Sequence, residues 1–141
     1  MIHLVFENDF VICELDDSLP VLKHRWKQET PGVHFRENLV KIHERYVEYS
    51  KEYPHLAWLA DTRLLGEVDE ETEAWFSDVW EDLLFRIAQV KFHAVILSED
   101  LFAEYPMERF KLEAEDRYKE LEVQLGIFSE EEEAYDWIRT R

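Results

Sequence analysis

The chain of 141 residues contains a single cysteine, Cys13. One cysteine cannot form a disulfide within the chain, and it cannot supply a cluster of thiolate metal ligands. Cys13 lies inside an apolar run, where a free cysteine usually behaves as a small buried hydrophobe. Disulfide-stapled scaffolds and cysteine-rich metal sites are therefore excluded.

Glycine is almost as scarce, because only Gly32, Gly66 and Gly126 are present. Phosphate-binding loops and dinucleotide-binding turns need several glycines within a few residues of one another. The chain also lacks the Gly-x-Ser-x-Gly turn of the α/β-hydrolases. With no nucleophile at a recognisable spacing from a base, we expect a protein that is not an enzyme and uses no cofactor. An unrecognised hydrolase is the enzymatic alternative.

Basic residues are few, with 16 Lys and Arg against 33 Asp and Glu, and the net charge is −17. Most of the acidic excess lies after residue 66. A surface of this charge repels polyanions and offers no basic stripe that could bind phosphates. Nucleic acid and anionic membrane surfaces are thus not expected as partners. The charge favours solubility, and a basic partner is the alternative explanation.

Long hydrophobic runs are missing as well. The longest stretch without a charged residue is residues 53–60, whereas a spanning helix needs about 20 apolar residues. The amino-terminal stretch has no basic segment, and Glu7 and Asp9 interrupt its apolar residues, so no export signal is expected. These features predict a cytoplasmic protein without a membrane span.

Hydrophobic residues nevertheless make up 46% of the chain and aromatic residues 14%, enough for a substantial core. Alternating apolar residues predict strands near the amino terminus and before the last helix. Two short runs that are apolar throughout predict strands covered on both faces. The predicted strands are Ile2–Phe6, Phe10–Leu15, Val21–Lys27, Leu56–Ala60, Phe92–Leu97 and Val123–Ile127.

Apolar residues at steps of three and four predict helices between the later strands. Thr30 and Pro31 are expected to start the first helix, Asp69 to cap the second, and Ser129 with Glu132 to form a capping box for the last. Leu101–Leu121 is read as helical with an interruption at Pro106. The second helix is expected to turn four pairs inward: Trp75/Phe76, Val79/Trp80, Leu83/Leu84 and Ile87/Ala88.

The resulting order, βββαβαβαβα, predicts a single α/β domain over residues 1–141. The early hairpin would supply antiparallel pairing, and the later alternation would supply parallel crossovers, which gives a mixed sheet packed by helices. The six histidines lie on different elements and form no metal-ligand pattern, so no metal site is expected. Four of the five tryptophans fall on predicted inward faces. Trp26, on a predicted edge strand, is not assigned to the core.

Two apolar strands end in polar tripeptides, Asp61-Thr62-Arg63 and Ser98-Glu99-Asp100. In open α/β sheets, ligands and partners gather beyond the carboxyl ends of the parallel strands. These tripeptides are therefore candidates for a contact surface. The alternative is structural: Asp61 and Arg63 would pair with each other or satisfy amides of the turn.

These segments resemble small bacterial STAS-like proteins, and within them the SpoIIAA-like branch. The resemblance rests on Trp58–Gly66, on Ala94–Leu97 followed by residues 99–102, and on the ending that contains Phe128, Ala134 and Trp137-Ile138. It implies a mixed sheet packed by helices and a role in binding other proteins, or, in other relatives, a small apolar molecule held between sheet and helices.

STAS-like regulators of sigma-factor control are switched by phosphorylation of a serine in a turn that resembles Asp-Ser-Ser-Gly-Leu-Gly. Laid on that motif, Asp61 matches the aspartate, Thr62 the first serine and Leu65-Gly66 the closing pair. The phosphorylated serine falls on Arg63 and the first glycine on Leu64, so the switch residue is absent. Thr62 is the one hydroxyl that could replace it.

The sequence thus supports two functional hypotheses. The first is a non-catalytic STAS-like interaction module with an unidentified protein partner, whose contact surface centres on Asp61, Thr62, Arg63 and Ser98. The alternative is a module that binds a small apolar, lipid-like ligand near the aromatic residues Phe76, Trp80 and Phe102. Whether the chain forms a homodimer is left open.

Overall fold

The computed structural model describes residues 1–98 and 107–141. The expectations for Glu99, Asp100, Leu101-Phe102 and the interruption at Pro106 lie outside the described residues. None of the helices in the described ranges is long and apolar enough to cross a membrane.

Strands form where apolar residues alternate with polar ones or run continuously, as predicted. They build one six-stranded sheet in which the spatial order equals the sequence order. The first three strands pair antiparallel, and every later pairing is parallel. The order of elements and the mixed α/β sheet are therefore confirmed. The strands are β1 (Ile2–Glu7), β2 (Val11–Asp16), β3 (Val21–Trp26), β4 (Ala57–Asp61), β5 (Phe92–Ile96) and β6 (Gln124–Phe128).

In the described residues, four helices connect or follow the parallel strands. They are α1 (Gly32–Ser50), α2 (Glu70–Trp75, continuing through Phe76–Trp80 and Asp82–Ile87), α3 (Met107–Arg117) and α4 (Glu131–Arg139). Buried residues of α1, α2 and α3 share one core with one face of the sheet. Ala134 and Ile138 of α4 pack on the opposite face, against Leu59 and Ile96. Of the described helices, three therefore pack on one face of the sheet and one packs on the other.

Trp26 is fully buried, so the interpretation of its strand as an edge strand was wrong. β3 lies between β2 and β4 in the middle of the sheet. The β1–β2 hairpin extends the sheet beyond β3, and the Phe35 ring of α1 covers the indole at a centroid distance of 4.7 Å.

Helix α1 buries Phe35, Leu39, Ile42 and Tyr46, which recur at steps of three and four residues. Its predicted start was wrong by one residue, because Pro31 occupies the cap position and no side chain caps the helix. The Thr30 hydroxyl donates instead to the carbonyl of Gln28.

Helix α2 begins as predicted, with the Asp69 carboxylate accepting the backbone N–H of Thr72 at 2.8 Å. Its later turns differ from the predicted α-helix because they are π-helical. The N–H groups of Glu81 and Ala88 bond to carbonyls five residues back, at Phe76 and Leu83. Wider turns change which residues face the core.

The wider turns therefore change which residues of α2 are buried. Val79 and Ile87, expected inside, are 42% and 64% exposed. Glu81 and Phe85 are buried instead. The assumption of 3.6 residues per turn produced this error, because the apolar pattern alone does not reveal a π-helical segment.

The predicted capping box at Ser129 was also wrong. Glu130 takes the cap position in an extended conformation, and no side chain caps α4. The first turn still carries Glu131, Glu132 and Glu133, whose charges are favourable at the positive end of the helix dipole.

The two predicted caps provide a direct test of the assigned helix starts. Replacing Asp69 with Ala should lower the free energy of unfolding by about 1 kcal/mol, because the Thr72 N–H loses its acceptor. Replacing Ser129 with Ala should change it by less than about 0.5 kcal/mol. Urea denaturation followed by tryptophan fluorescence measures both. Equal losses in the two variants would contradict the assigned helix starts.

Candidate functional site

The predicted contact residues at the end of β4 divide between the two faces of the sheet. The Thr62 hydroxyl and backbone N–H both donate to the Ile96 carbonyl, at 2.8 and 2.9 Å, and join the ends of β4 and β5. The carboxyl ends of β4 and β5 therefore lie next to each other, as expected for neighbouring parallel strands. Ser98 is half-buried and follows β5 by two residues.

Asp61 and Arg63 bind each other. The guanidinium donates to both carboxylate oxygens, at 2.9 and 2.6 Å, and this hydrogen bond raises the pKa of Arg63. Asp61 is 1% exposed, and Arg63 also approaches Glu131 of α4 at 3.7 Å. Asp61 and Arg63 therefore pair with each other, as the structural alternative predicted, and the pair lies on the α4 side of the sheet.

A cavity of about 360 Å³ lies on the other side, between the sheet and helices α1 and α2. Side chains of β3, β4 and β5 form its floor, and α1, α2 and residues 65–68 form its walls. It reaches the surface beside Glu73 and Ser77, which are exposed. This volume is within the range typical of small-molecule pockets.

The floor of the cavity follows from strand register. His24, Ala60 and Val95 form one row across β3, β4 and β5. In the neighbouring row, Trp58 lies beside His93. The methyl side chain of Ala60 between two larger neighbours leaves space above the middle strand, and α2 spans that space with its wider π-helical turns.

Four nitrogens of the floor residues have no hydrogen-bond partner in the described part of the chain. They are both ring nitrogens of His24, Nε1 of Trp26 and Nδ1 of His93. A buried polar atom left unsatisfied destabilises a fold by about 1–3 kcal/mol. Native proteins contain few such atoms, and each calls for an explanation such as a bound water or ligand.

Both floor histidines are neutral near pH 7. Burial, and to a lesser extent the neighbouring His93, lower the pKa of His24 to about 3. Burial likewise lowers the pKa of His93 to about 3. A neutral imidazole has one N–H donor and one nitrogen acceptor, so each ring can both donate and accept.

The charges around the cavity are negative. Among the described residues that line it there is no Lys or Arg, whereas Glu73 and Glu81 are present. Glu81 is buried, which raises the pKa of its carboxyl, and it accepts a hydrogen bond from Arg117 at 2.7 Å. The cavity is therefore suited to a mostly apolar molecule and unsuited to an anion.

Some of the residues predicted to bind a ligand or a partner lie together in the cavity, and others do not. Phe76, Trp80 and Thr62 all line the cavity, whereas Phe102 lies outside the described residues. Asp61, Arg63 and Ser98 are not among the lining residues. Sequence reasoning missed His24, Trp26, Trp58 and His93. The available signal was a histidine on the apolar face of each of two predicted strands.

The described residues provide neither a reactive thiolate at neutral pH nor a group of metal ligands. Cys13 is buried in β2, and burial raises the pKa of its thiol to about 12, so the thiolate is scarce at neutral pH. Within residues 1–98 and 107–141, no three His, Cys, Asp or Glu side chains form a group that could hold a metal ion.

Comparison of the chain with protein-family models, curated proteins and solved structures found no significant match. The STAS-like resemblance and the interaction surface around Asp61–Arg63 therefore stay predictions.

The buried histidines predict a loss of stability in mild acid. The unfolded chain binds a proton at each histidine below pH 6.5, while the folded protein excludes it until about pH 3. Stability is thus full above pH 6.5 and falls as the pH is lowered, by up to about 1.4 kcal/mol per pH unit for each histidine. Urea denaturation between pH 7 and about pH 5 measures this slope.

A pair of variants isolates the effect. His24→Phe should reduce the pH slope, while His55→Gln, at an exposed position, should leave it unchanged. Comparing slopes between variants removes the contribution of carboxylates that titrate in the same range. An unchanged slope in His24→Phe would show that this imidazole is protonated in the folded state.

The Asp61–Arg63 ion pair predicts a loss of stability when one partner is removed. Arg63→Ala leaves a buried carboxylate without its partner and should lower the unfolding free energy by about 1–3 kcal/mol, less than for a fully buried pair because Arg63 is partly exposed. The double variant with Asp61→Ala should lose less than the sum of the two single variants. Arg45→Ala, which removes an exposed pair with Glu48, serves as the control. A loss no larger than in this control would argue against a structural role.

Proposed function

We propose that the chain binds a small, mostly apolar molecule in the cavity between the sheet and helices α1 and α2. The observation that carries the proposal is a cavity of about 360 Å³ that is lined mostly by apolar and aromatic side chains. Apolar walls with a few convergent polar groups are the usual make-up of a ligand site.

The lining residues support an aromatic or flat ligand. Six of them are Trp or Phe, three on the strand and α1 side and three on α2: Trp26, Phe35, Trp58, Phe76, Trp80 and Phe85. Aromatic rings offer large apolar contact areas and favour stacked or edge-on packing with a second ring. Among the lining residues, the rings of Trp58 and Trp80 lie at a centroid distance of 5.8 Å.

The π-helical turns of α2 support the same proposal. The segments Phe76–Trp80 and Asp82–Ile87 supply much of the cavity wall. π-Helical segments are uncommon and occur often at functional sites, where they redirect side chains. Here they bring Phe85 and Glu81 to the cavity in place of Val79 and Ile87.

This proposal selects the ligand-binding alternative of the sequence analysis. Asp61 and Arg63 saturate each other's charges, so no specific observation favours them as a contact surface. The interaction module and its protein partner remain untested predictions, and whether the chain forms a homodimer stays open.

The test reduces the volume of the cavity by enlarging one side chain of its floor. Wild-type protein should bind N-phenyl-1-naphthylamine, a fluorescent apolar probe, at one site per chain. Ala60→Leu should weaken this binding at least about tenfold, equivalent to about 1.4 kcal/mol, because the added carbons occupy the space between His24 and Val95. Melting temperature should be retained, since the new side chain fills a void rather than a packed core.

Val79→Leu is the matched control, because Val79 lies on α2 and points away from the cavity. It should bind the probe as the wild type does. Native mass spectrometry and solvent extraction of the purified protein would show whether a molecule is carried from the cell. Absence of probe binding to the wild type, or equal binding by Ala60→Leu, would contradict the proposal.

A further inference from the structure

The wall that α2 contributes to the cavity contains one buried carboxylate among aromatic rings. Glu81 is 6% exposed and lines the cavity together with Trp80 and Phe85 of the same helix. The π-helical turns bring it there, since the Glu81 N–H bonds to the carbonyl of Phe76, five residues back. An ionised group in an apolar wall is unfavourable unless it is paired, so the position of Glu81 requires an explanation.

Arg117 of α3 explains that position only in part. Its guanidinium donates to Oε2 of Glu81 at 2.7 Å, but Arg117 is itself 53% exposed. Within residues 1–98 and 107–141, no hydrogen bond to the other oxygen, Oε1, is present. Burial raises the pKa of the Glu81 carboxyl although Arg117 opposes that rise. The carboxylate is therefore less stabilised in the folded protein than in water, even with its partner in place.

The charges around Glu81 favour a cation over an anion. The described residues that line the cavity include no Lys or Arg, and a second carboxylate, Glu73, is exposed at the mouth. The whole chain has a net charge of −17, which attracts cations to the protein and repels anions.

The aromatic rings of the lining also suit a cation. The rings of Trp58 on the floor and Trp80 on α2 lie 5.8 Å apart, and the ring of Phe35 on α1 lies 5.9 Å from that of Phe76. The face of an aromatic ring is partially negative, and it attracts a cation that lies within about 6 Å of the ring centroid. Ammonium groups are often bound by several such rings together.

We propose that the molecule bound in the cavity is a protonated apolar amine, whose ammonium group binds the Glu81 carboxylate and whose body packs against the aromatic rings. This inference rests on the proposed function, because it names the chemical class of the molecule that the cavity holds. Glu81 loses most of its water when the chain folds, so a cation beside it meets an anion that solvent screens weakly. A ligand carboxylate at the same place would add an unpaired negative charge, which is strongly unfavourable.

The experiment compares four compounds that share one apolar body: 2-naphthylmethylammonium, 2-naphthylmethanol, naphthalene and 2-naphthoate. Each competes with N-phenyl-1-naphthylamine for the wild-type protein near pH 7. We expect the ammonium compound to displace the probe at a concentration at least about tenfold lower than 2-naphthylmethanol does, because these two compounds differ chiefly in charge. The naphthoate should compete most weakly of the four.

The outcomes separate this inference from the proposed function. If 2-naphthylmethanol or naphthalene competes as well as the ammonium compound, the cavity binds apolar molecules and the amine inference is wrong. The strongest competition by the naphthoate would also overturn it. If neither the probe nor any of the four compounds binds, the proposed function is wrong and the inference fails with it.

Glu81→Gln tests the carboxylate, because it removes the charge and keeps the size of the side chain. It should reduce the preference for the ammonium compound over 2-naphthylmethanol about tenfold and leave binding of the alcohol nearly unchanged. Asp78→Asn is the matched control, since Asp78 is an exposed carboxylate of α2 that is not among the lining residues. A full preference in folded Glu81→Gln, or an equal loss in Asp78→Asn, would overturn the assignment to Glu81.

Arg117→Ala tests the same carboxylate with the opposite sign, and it decides the matter if Glu81→Gln fails to fold. Arg117 competes with the ammonium group for Glu81, so its removal should strengthen ammonium binding at least about threefold and leave binding of 2-naphthylmethanol unchanged. Arg139→Ala, which removes an exposed cation of α4, controls for the change in net charge. Ammonium binding that is no stronger than in this control would show that Glu81 serves only as the partner of Arg117.

Discussion

The direction of the parallel crossovers determines which face of the sheet most of the described helices cover. β3, β4, β5 and β6 follow one another across the sheet in sequence order. Crossovers between parallel strands are almost always right-handed, so crossovers that advance in one direction place their helices on one face. Helices α1, α2 and α3 accordingly share a single core with that face. On the other face, the described helix is α4, which follows the last strand.

The face of the sheet that packs against α1, α2 and α3 contains the cavity because packing on this face is incomplete above Ala60. Ala60 is flanked by His24 and Val95 in the sheet, and the turns of α2 above it are π-helical. Unsatisfied nitrogens on the floor oppose folding by a few kcal/mol in total, which the large aromatic core offsets.

The alternation of side chains along a strand explains why a tripeptide at a strand end is not one site. Successive residues of β4 point to opposite faces, so Asp61 and Arg63 lie on the α4 side while Thr62 reaches the cavity. Thr62 also ties β4 to β5 through the Ile96 carbonyl. The three residues are adjacent in sequence, yet they take part in two different environments.

The sequence by itself determined the order of elements, the mixed sheet and most of the inward faces, because strand and helix periods are local and the hydrophobic pattern records them. It also placed Asp69 as a cap and named Phe76 and Trp80, which both line the cavity. Only the tertiary structure decided the burial of Trp26, the outward turn of Val79 and Ile87, and the joining of His24 and His93 in one cavity. Those features depend on which strands become neighbours and on how a helix adjusts to the surface beneath it. These are long-range contacts, and the local pattern of residues does not encode them.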